Sequence, residues 1–269
     1  MVLEKDLSRY LIITDIDDTL LPHEGQIPQR NLDAIKRFQQ KGGKFTFATG
    51  RSHYHCWELY KTLGINVQSA QNNGAYIYNC TTGEVSERTF VPKTCNAFIK
   101  KACKVFPDMA VGVSMEDDFR IISSPESLEC QKKHLTSRGL CDMDEIGQDW
   151  FKILFVRAAE DMEELHKWLD ENLPEGTYYT NSSAVFCEIM AKGVDKGEGV
   201  RKLARVMGVD IKDTYAIGDF YNDIDMLKAA GTSVAVGDGA QDIIDMCDMV
   251  VGPCAQGAVA DLIEYIENL

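Results

Sequence analysis

Apolar residues alternate between two periodicities along the chain, and the order of those periodicities sets out an architecture. "LIIT" at 11–14 is a short run of apolar and β-branched residues, the pattern of a buried strand. It leads through an acidic loop into "PQRNLDAIKRFQQKGG", where Leu32, Ile35 and Phe38 recur at helical spacing, Pro28 suits the first turn and Gly42 the C-terminal end. "KFTFATG" predicts a second strand, "SHYHCWELYKTLG" a second helix, and "NNGAYIYNCTTGEV" a strand and turn. Strands alternating with helices predict a parallel sheet covered on both faces.

Between about Pro92 and Phe186 the order changes. A helix over Pro92 to Val105 precedes the strands "MAVGVSM" and "FRIIS", a helix near Pro125 to Ser137, the strand "FKILFVRA", the helix "EDMEELHKWLDENL" and the strands "TYYTN" and "AVFCEIM". Mixed order of this kind predicts an α+β segment with an antiparallel sheet. From Asp195 the first rhythm returns: helix "KGEGVRKLARVMG", strand "TYAIG", helix "NDIDMLKAAG", strand "SVAVG", a short helix at Ala240 to Met246, strand "DMVV" and a closing helix to Leu269. The expected organisation is a core formed by residues 1–84 and 189–269 around an inserted domain at 85–188.

Composition narrows the choice of partners. With 269 residues and 45% hydrophobic content the chain can bury a sizeable core. Its 42 acidic and 28 basic residues give a net charge of -14, which repels nucleic acid and anionic membranes in the absence of a basic patch. The strongest cluster, Lys100, Lys101 and Lys104, lies in a helical pattern and reads as a solvated face. Nine cysteines without C-x-x-C spacing read as scattered small hydrophobes in a reducing compartment. "MVLEKDLSRY" lacks the apolar region of a signal peptide, and no apolar run reaches membrane-spanning length, so a cytoplasmic location is expected. Neither a nucleic-acid, a membrane nor a protein partner is expected.

The candidate chemistry lies at strand ends, where loops of open parallel sheets carry function. Asp15 and Asp17 follow the first strand; two apart on an extended segment, they can point to one side, and a shared divalent cation makes their proximity tolerable. Calcium binding of the EF-hand type fits poorly, because Leu20 and Gln26 replace the required Gly and Glu. "AIGDFYNDIDML" brings a second pair, Asp219 and Asp223, to another strand end. Between the two clusters, "ATGR" offers the Thr49 hydroxyl and the Gly50 backbone, and "VDKGEG" places Lys196 at a helix start. Two acidic loops, a hydroxyl, backbone donors and a fixed cation are the inventory of phosphoryl transfer. "QKGGKF" fails as a nucleotide phosphate loop, since Phe38 and Phe45 stand at its first Gly and Ser/Thr positions.

On these residues the chain resembles the haloacid dehalogenase-like (HAD) phosphohydrolases, in particular the Cof-like group with a large α/β cap (type IIB) related to sucrose-phosphate phosphatases. The four motifs occur in order: "DIDDT" (Asp15, Asp17, Thr19), Thr49 in "ATGR", Lys196 in "DKGEG", and Asp219 with Asp223 in "GDFYND"; "NNGA" and "VAVGDGA" are also similar to the group. Phe220, where a small polar residue is usual, and Asp238-Gly239, where Asn-Ala is common, are departures. The resemblance implies a Rossmann-like parallel-sheet core with an inserted α+β cap that reads the leaving group. It implies a magnesium-dependent (Mg2+) phosphatase acting on a small phosphorylated metabolite, foremost a sugar phosphate. Asp15 is then the nucleophile that forms an aspartyl phosphate and Asp17 the acid and base. Lys196 offsets negative charge, Thr49 and Gly50 bind phosphate oxygens, and Asn222 orients Lys196. Asp15, the Asp17 carbonyl, Asp219 and Asp223 would hold the metal. The alternatives are a phosphomutase with the same nucleophile and a non-catalytic regulatory protein of the same fold.

Overall fold

A computed structural model of the protein describes residues 5–116, 118–123, 142 and 147–269. The chain divides into two compact units, one made of the stretches up to Glu87 and from Asp195 onward, the other of Arg88–Val194.

In the first unit, β1 (Leu11–Thr14) is buried at every position and occupies the interior of a five-stranded sheet. It pairs in parallel with β2 (Lys44–Phe47) on one side and β11 (Thr214–Gly218) on the other; β12 (Thr232–Ala235) and β13 (Met249–Val250) continue the sheet beyond β11. A strand buried on both faces has no polar alternation to keep, which is why "LIIT" is continuous rather than alternating. Leu11 and Ile13 pack with Val200 and Leu203 of α5 (Lys196–Met207), Met226 and Leu227 of α6 (Ile224–Ala229) and Ile243 of α7 (Gln241–Met246). Along the strand, Ile12 points to the opposite face. Helices α1 (Gln29–Gln40) and α8 (Ala258–Asn268) pack against each other, burying Ile35 and Phe38 from one and Leu262, Ile263 and Ile266 from the other.

The region read as a strand and turn folds into more. β3 (Gln68–Gln71), β4 (Tyr76–Asn79) and β5 (Glu84–Ser86) form a separate antiparallel sheet, with the "NNGA" turn between the first two. Asn72, Asn73 and Gly74 are all left-handed there, with φ of 47°, 57° and 84°. Asn and Gly tolerate that region better than branched residues, so the triplet makes a reversal that a regular strand pattern does not announce. The predicted second helix begins as a 3-10 turn over His53–Cys56 before α2 (Trp57–Leu63).

The second unit is α+β. Strands β6 (Ala110–Ser114), β7 (Phe119–Ser123), β8 (Lys152–Val156), β9 (Thr177–Asn181) and β10 (Phe186–Ala191) form an antiparallel sheet in the order β7-β6-β8-β10-β9. Val111, Val113, Ile153, Phe155, Cys187 and Ile189 face one side of it, where Phe98 and Ile99 of α3 (Cys95–Val105) and Leu165 and Leu169 of α4 (Met162–Asn172) pack against them. β10 runs past residue 188, where the sequence pattern places the domain boundary. The helix expected near Pro125 to Ser137 lies outside the described residues. The fold is thus α/β with a parallel core sheet and an inserted antiparallel sheet. No helix among the described residues is long and apolar enough to cross a membrane.

Candidate active site

Because the core strands are parallel, the loops after β1, β2 and β11 leave the same edge of the sheet. They bring Asp15, Thr49 and Asp219 to that edge from far-apart positions in sequence. Asp15 follows β1 directly, and its backbone N–H donates to Ile217 O of β11 at 2.9 Å, so the pairing of the central strands sets its place. Lys196 is the first residue of α5, whose N-cap, Asp195, accepts from Glu198 N at 2.7 Å. A cap of this type stabilises a helix end by about 1 kcal/mol, and here it also fixes the start of the helix that presents the lysine.

Lys196 is almost fully buried, and its ammonium donates to Asp15 Oδ1 and to Asp223 Oδ1, both at 2.6 Å. Asp223 is completely buried, and its second oxygen accepts from Asp219 N at 3.1 Å. Asp219 in turn receives the Thr19 hydroxyl at 2.6 Å. Carboxylate oxygens of Asp15, Asp219 and Asp223 lie within 4.8 Å of one another. Burial pushes the Asp15 carboxyl up to about 7; Lys196 pulls against that shift, and the neighbouring Asp223 and Asp219 add to it. Burial likewise raises Asp219, to about 6, with the Thr19 hydroxyl opposing. Desolvation penalises the Lys196 ammonium, yet Asp15 and Asp223 more than offset it and its pKa is raised.

Three carboxylates face one ammonium, an excess of two negative charges when all are ionised, and each donor is an oxygen. A hard divalent cation that prefers oxygen ligands, as magnesium does, fits both the charge and the donor set.

Two predicted positions differ from expectation. Asp17 does not join the buried cluster: it is exposed, and Arg51 of "ATGR" donates to both of its oxygens, through Nε at 3.2 Å and through Nη2. Asp15 and Asp17 would point to one side only on an extended segment. The strand ends at Thr14, and the chain then turns through a left-handed Asp18 (φ 59°), so strand alternation no longer applies. Asn222, expected to orient Lys196, is exposed on a 3-10 turn, while Asp223 holds the ammonium. Gly50 lies tight against Asn73, where an added Cβ would be 3.1 Å from Asn73 Oδ1. The Thr49 hydroxyl accepts from Arg51 N at 3.2 Å.

The structure also accounts for a departure. Gly239 packs on the Asp219 backbone, where a Cβ would approach Asp219 O to 2.8 Å, and Ala240 N donates to that carbonyl at 2.9 Å. Asp238 accepts from Cys254 N at 2.9 Å. The "VAVGDGA" loop is therefore a support beneath Asp219, and only a residue without a side chain allows its closest approach. Phe220 is exposed beside the cluster, its ring edge-on to Tyr221.

Comparison with known proteins gives the family and the fold. The model of the haloacid dehalogenase-like hydrolase family matches residues 12–263. The phosphatase YwpJ of Bacillus subtilis is 24% identical over 284 residues, covering 95% of this chain and 99% of its own. The 5-amino-6-(5-phospho-D-ribitylamino)uracil phosphatase YcsE of the same organism is 26% identical over 280 residues, covering 98% of each. A haloacid dehalogenase-like hydrolase from Bacteroides thetaiotaomicron superposes with a TM-score of 0.86 at 24% identity, covering 96% of this chain and 99% of that one. The chain belongs to the haloacid dehalogenase-like hydrolases.

Proposed function

We propose that the protein is a magnesium-dependent phosphatase that hydrolyses a sugar phosphate or closely similar metabolite through an aspartyl-phosphate intermediate. The observation that carries this reading is the buried carboxylate cluster bridged by Lys196. In the first step an Asp15 oxygen forms a bond to phosphorus as the bond to the leaving oxygen breaks, and Asp17 gives that oxygen its proton. Asp17 then takes a proton from water, whose oxygen attacks phosphorus, frees the Asp15 carboxylate and releases inorganic phosphate. Arg51 must yield Asp17 for either proton transfer. Thr49 and the Gly50 N–H bind phosphate oxygens, and Lys196 offsets charge on the nucleophile and the group in transit. Magnesium, held by Asp15, Asp219 and the Asp17 carbonyl with Asp223 close by, would supply charge neutralisation at the phosphoryl oxygens.

The name of YcsE specifies a phosphorylated ribityl compound, which supports a sugar-like leaving group here. A screen of phosphorylated metabolites, read as free phosphate with and without magnesium, tests the proposal. Chelation should lower turnover about 10²-fold or more, and Asp219→Ala should lower turnover while raising the magnesium concentration required. Full activity after exhaustive chelation defeats the metal assignment. Phosphate release without a bisphosphate activator separates a phosphatase from a phosphomutase, and absence of release from every ester overturns the phosphatase reading.

The inserted unit is assigned to leaving-group recognition, since the four motifs lie outside it. Substitutions at exposed polar positions on its loops, such as Ser183, should change the ratio of kcat/KM among metabolites while changing p-nitrophenyl phosphate hydrolysis little. An equal loss on each substrate, the activated ester included, counts against that division of labour.

A further inference from the structure

Lys202 lies two turns along α5 from the active-site lysine, and it is nearly as buried. Burying an ammonium is costly unless it is well hydrogen-bonded, so its partners matter. Its Nζ donates at 3.0 Å to the carbonyl of Gly74 and at 3.0 Å to the carbonyl of Glu87. Both acceptors belong to residues in the left-handed region, Gly74 at φ 84° and Glu87 at φ 54°. Glu87, unlike a glycine, is strained in that conformation because it has a side chain. One cation thus holds two points where the backbone departs from its preferred geometry.

The first of these points leads back to the phosphate loop. Gly74 closes the left-handed triplet, whose other two members hold the backbone after β2: Asn73 N donates to Thr49 O at 2.8 Å and Asn72 N to Arg51 O at 2.9 Å. Gly74 itself is pressed against the start of α5, where an added Cβ would lie 2.5 Å from Asp195 O. The second point, Glu87, is the last residue before the chain enters the inserted unit; Arg205, one turn further along α5, binds its carboxylate at 2.7 Å.

We propose that Lys202 is a positioning residue for phosphate binding: by clamping the Gly74 and Glu87 carbonyls it fixes the 72–74 turn and, through that turn, the backbone of Thr49–Arg51. The proposal rests on reading Thr49 and Gly50 as phosphate ligands. It makes α5 serve the site twice, through Lys196 by charge and through Lys202 by placement.

Calorimetric titration of inorganic phosphate into the magnesium-loaded protein, alongside steady-state kinetics, tests it. Lys202→Met keeps the apolar stem but removes the donors; phosphate affinity should weaken about five- to tenfold, the scale of one ordinary hydrogen bond. KM should rise by a similar factor while kcat stays within about twofold. Lys202→Arg, which retains charge and donors, should recover most of the affinity, and Arg205→Met, which removes only the contact to the Glu87 side chain, should leave it unchanged. If Lys202→Met does not fold, Lys202→Gln, too short to reach both carbonyls, should show the same weakening. Thr49→Ala separates the two levels of the reading. Loss of affinity in Thr49→Ala with wild-type affinity in a folded Lys202 variant overturns the role of Lys202 alone. Wild-type affinity in Thr49→Ala overturns the phosphate-loop assignment and the proposal with it. A fall in kcat at unchanged KM and phosphate affinity also overturns it.

Discussion

Asp15→Asn should lower phosphatase turnover by about 10³-fold or more while leaving the fold intact. The amide is nearly isosteric with the carboxylate, so β1 and its pairing with β11 have no steric reason to change. It also removes a charge from a place where burial already opposes ionisation, as the rise of the Asp15 carboxyl to about 7 shows, so a large loss of stability is not expected. What disappears is the anionic oxygen that would bond to phosphorus. Lys196 keeps Asp223 as a partner, and the other acids keep their places. The measurement is single-turnover phosphate release by a variant whose circular dichroism and Tm match the wild type. Turnover within tenfold of wild type would remove Asp15 from the role of nucleophile.

Much of this site was readable before the fold was known, and the physical reason is topological. In a parallel sheet, residues just beyond strand ends gather at one edge, so "DIDDT", "ATGR" and "GDFYND" could be placed together from their strand patterns alone. What could not be read was orientation within each loop. Asp17 departs from its expected side because β1 ends at Thr14, and strand alternation does not extend past the end of a strand. The resemblance assigns the orienting of Lys196 to Asn222, whereas Asp223, one residue on, is the buried one that accepts from it. A one-residue displacement on a 3-10 turn swings a side chain by about 120°, too fine a distinction for spacing arguments. Arg51 and Lys202 were missed for a different reason: their partners are 34 and 128 positions away, and only the assembled turns bring them within reach. The "NNGA" and "VAVGDGA" stretches were noted as similarities to the family. The structure turns both into supports, one beneath Thr49 and the other beneath Asp219.

Lys196→Met should damage both stability and catalysis, and pH should separate the two effects. In the wild type a buried ammonium lies between Asp15 and Asp223, and removing one member of a buried ion pair costs about 3–5 kcal/mol because the remaining charge is left without compensation. The acids then have burial and mutual repulsion acting on them with no lysine opposing, so Asp15 should titrate above its present value of about 7 and Asp219 above about 6. A carboxyl whose folded pKa exceeds its unfolded value near 4 binds its proton more tightly when folded; stability therefore falls as pH rises from about 4 through the folded pKa. The Tm deficit of the variant should accordingly be small at pH 5, where the cluster can hold protons, and large at pH 8. Magnesium added at pH 8 should recover part of it by supplying positive charge to the same oxygens. Turnover should fall about 10²- to 10³-fold, because magnesium does not replace a cation fixed beside the nucleophile. A deficit equal at pH 5 and pH 8 would mean that Lys196 acts through packing rather than charge, and turnover within fivefold of wild type would remove it from the catalytic set.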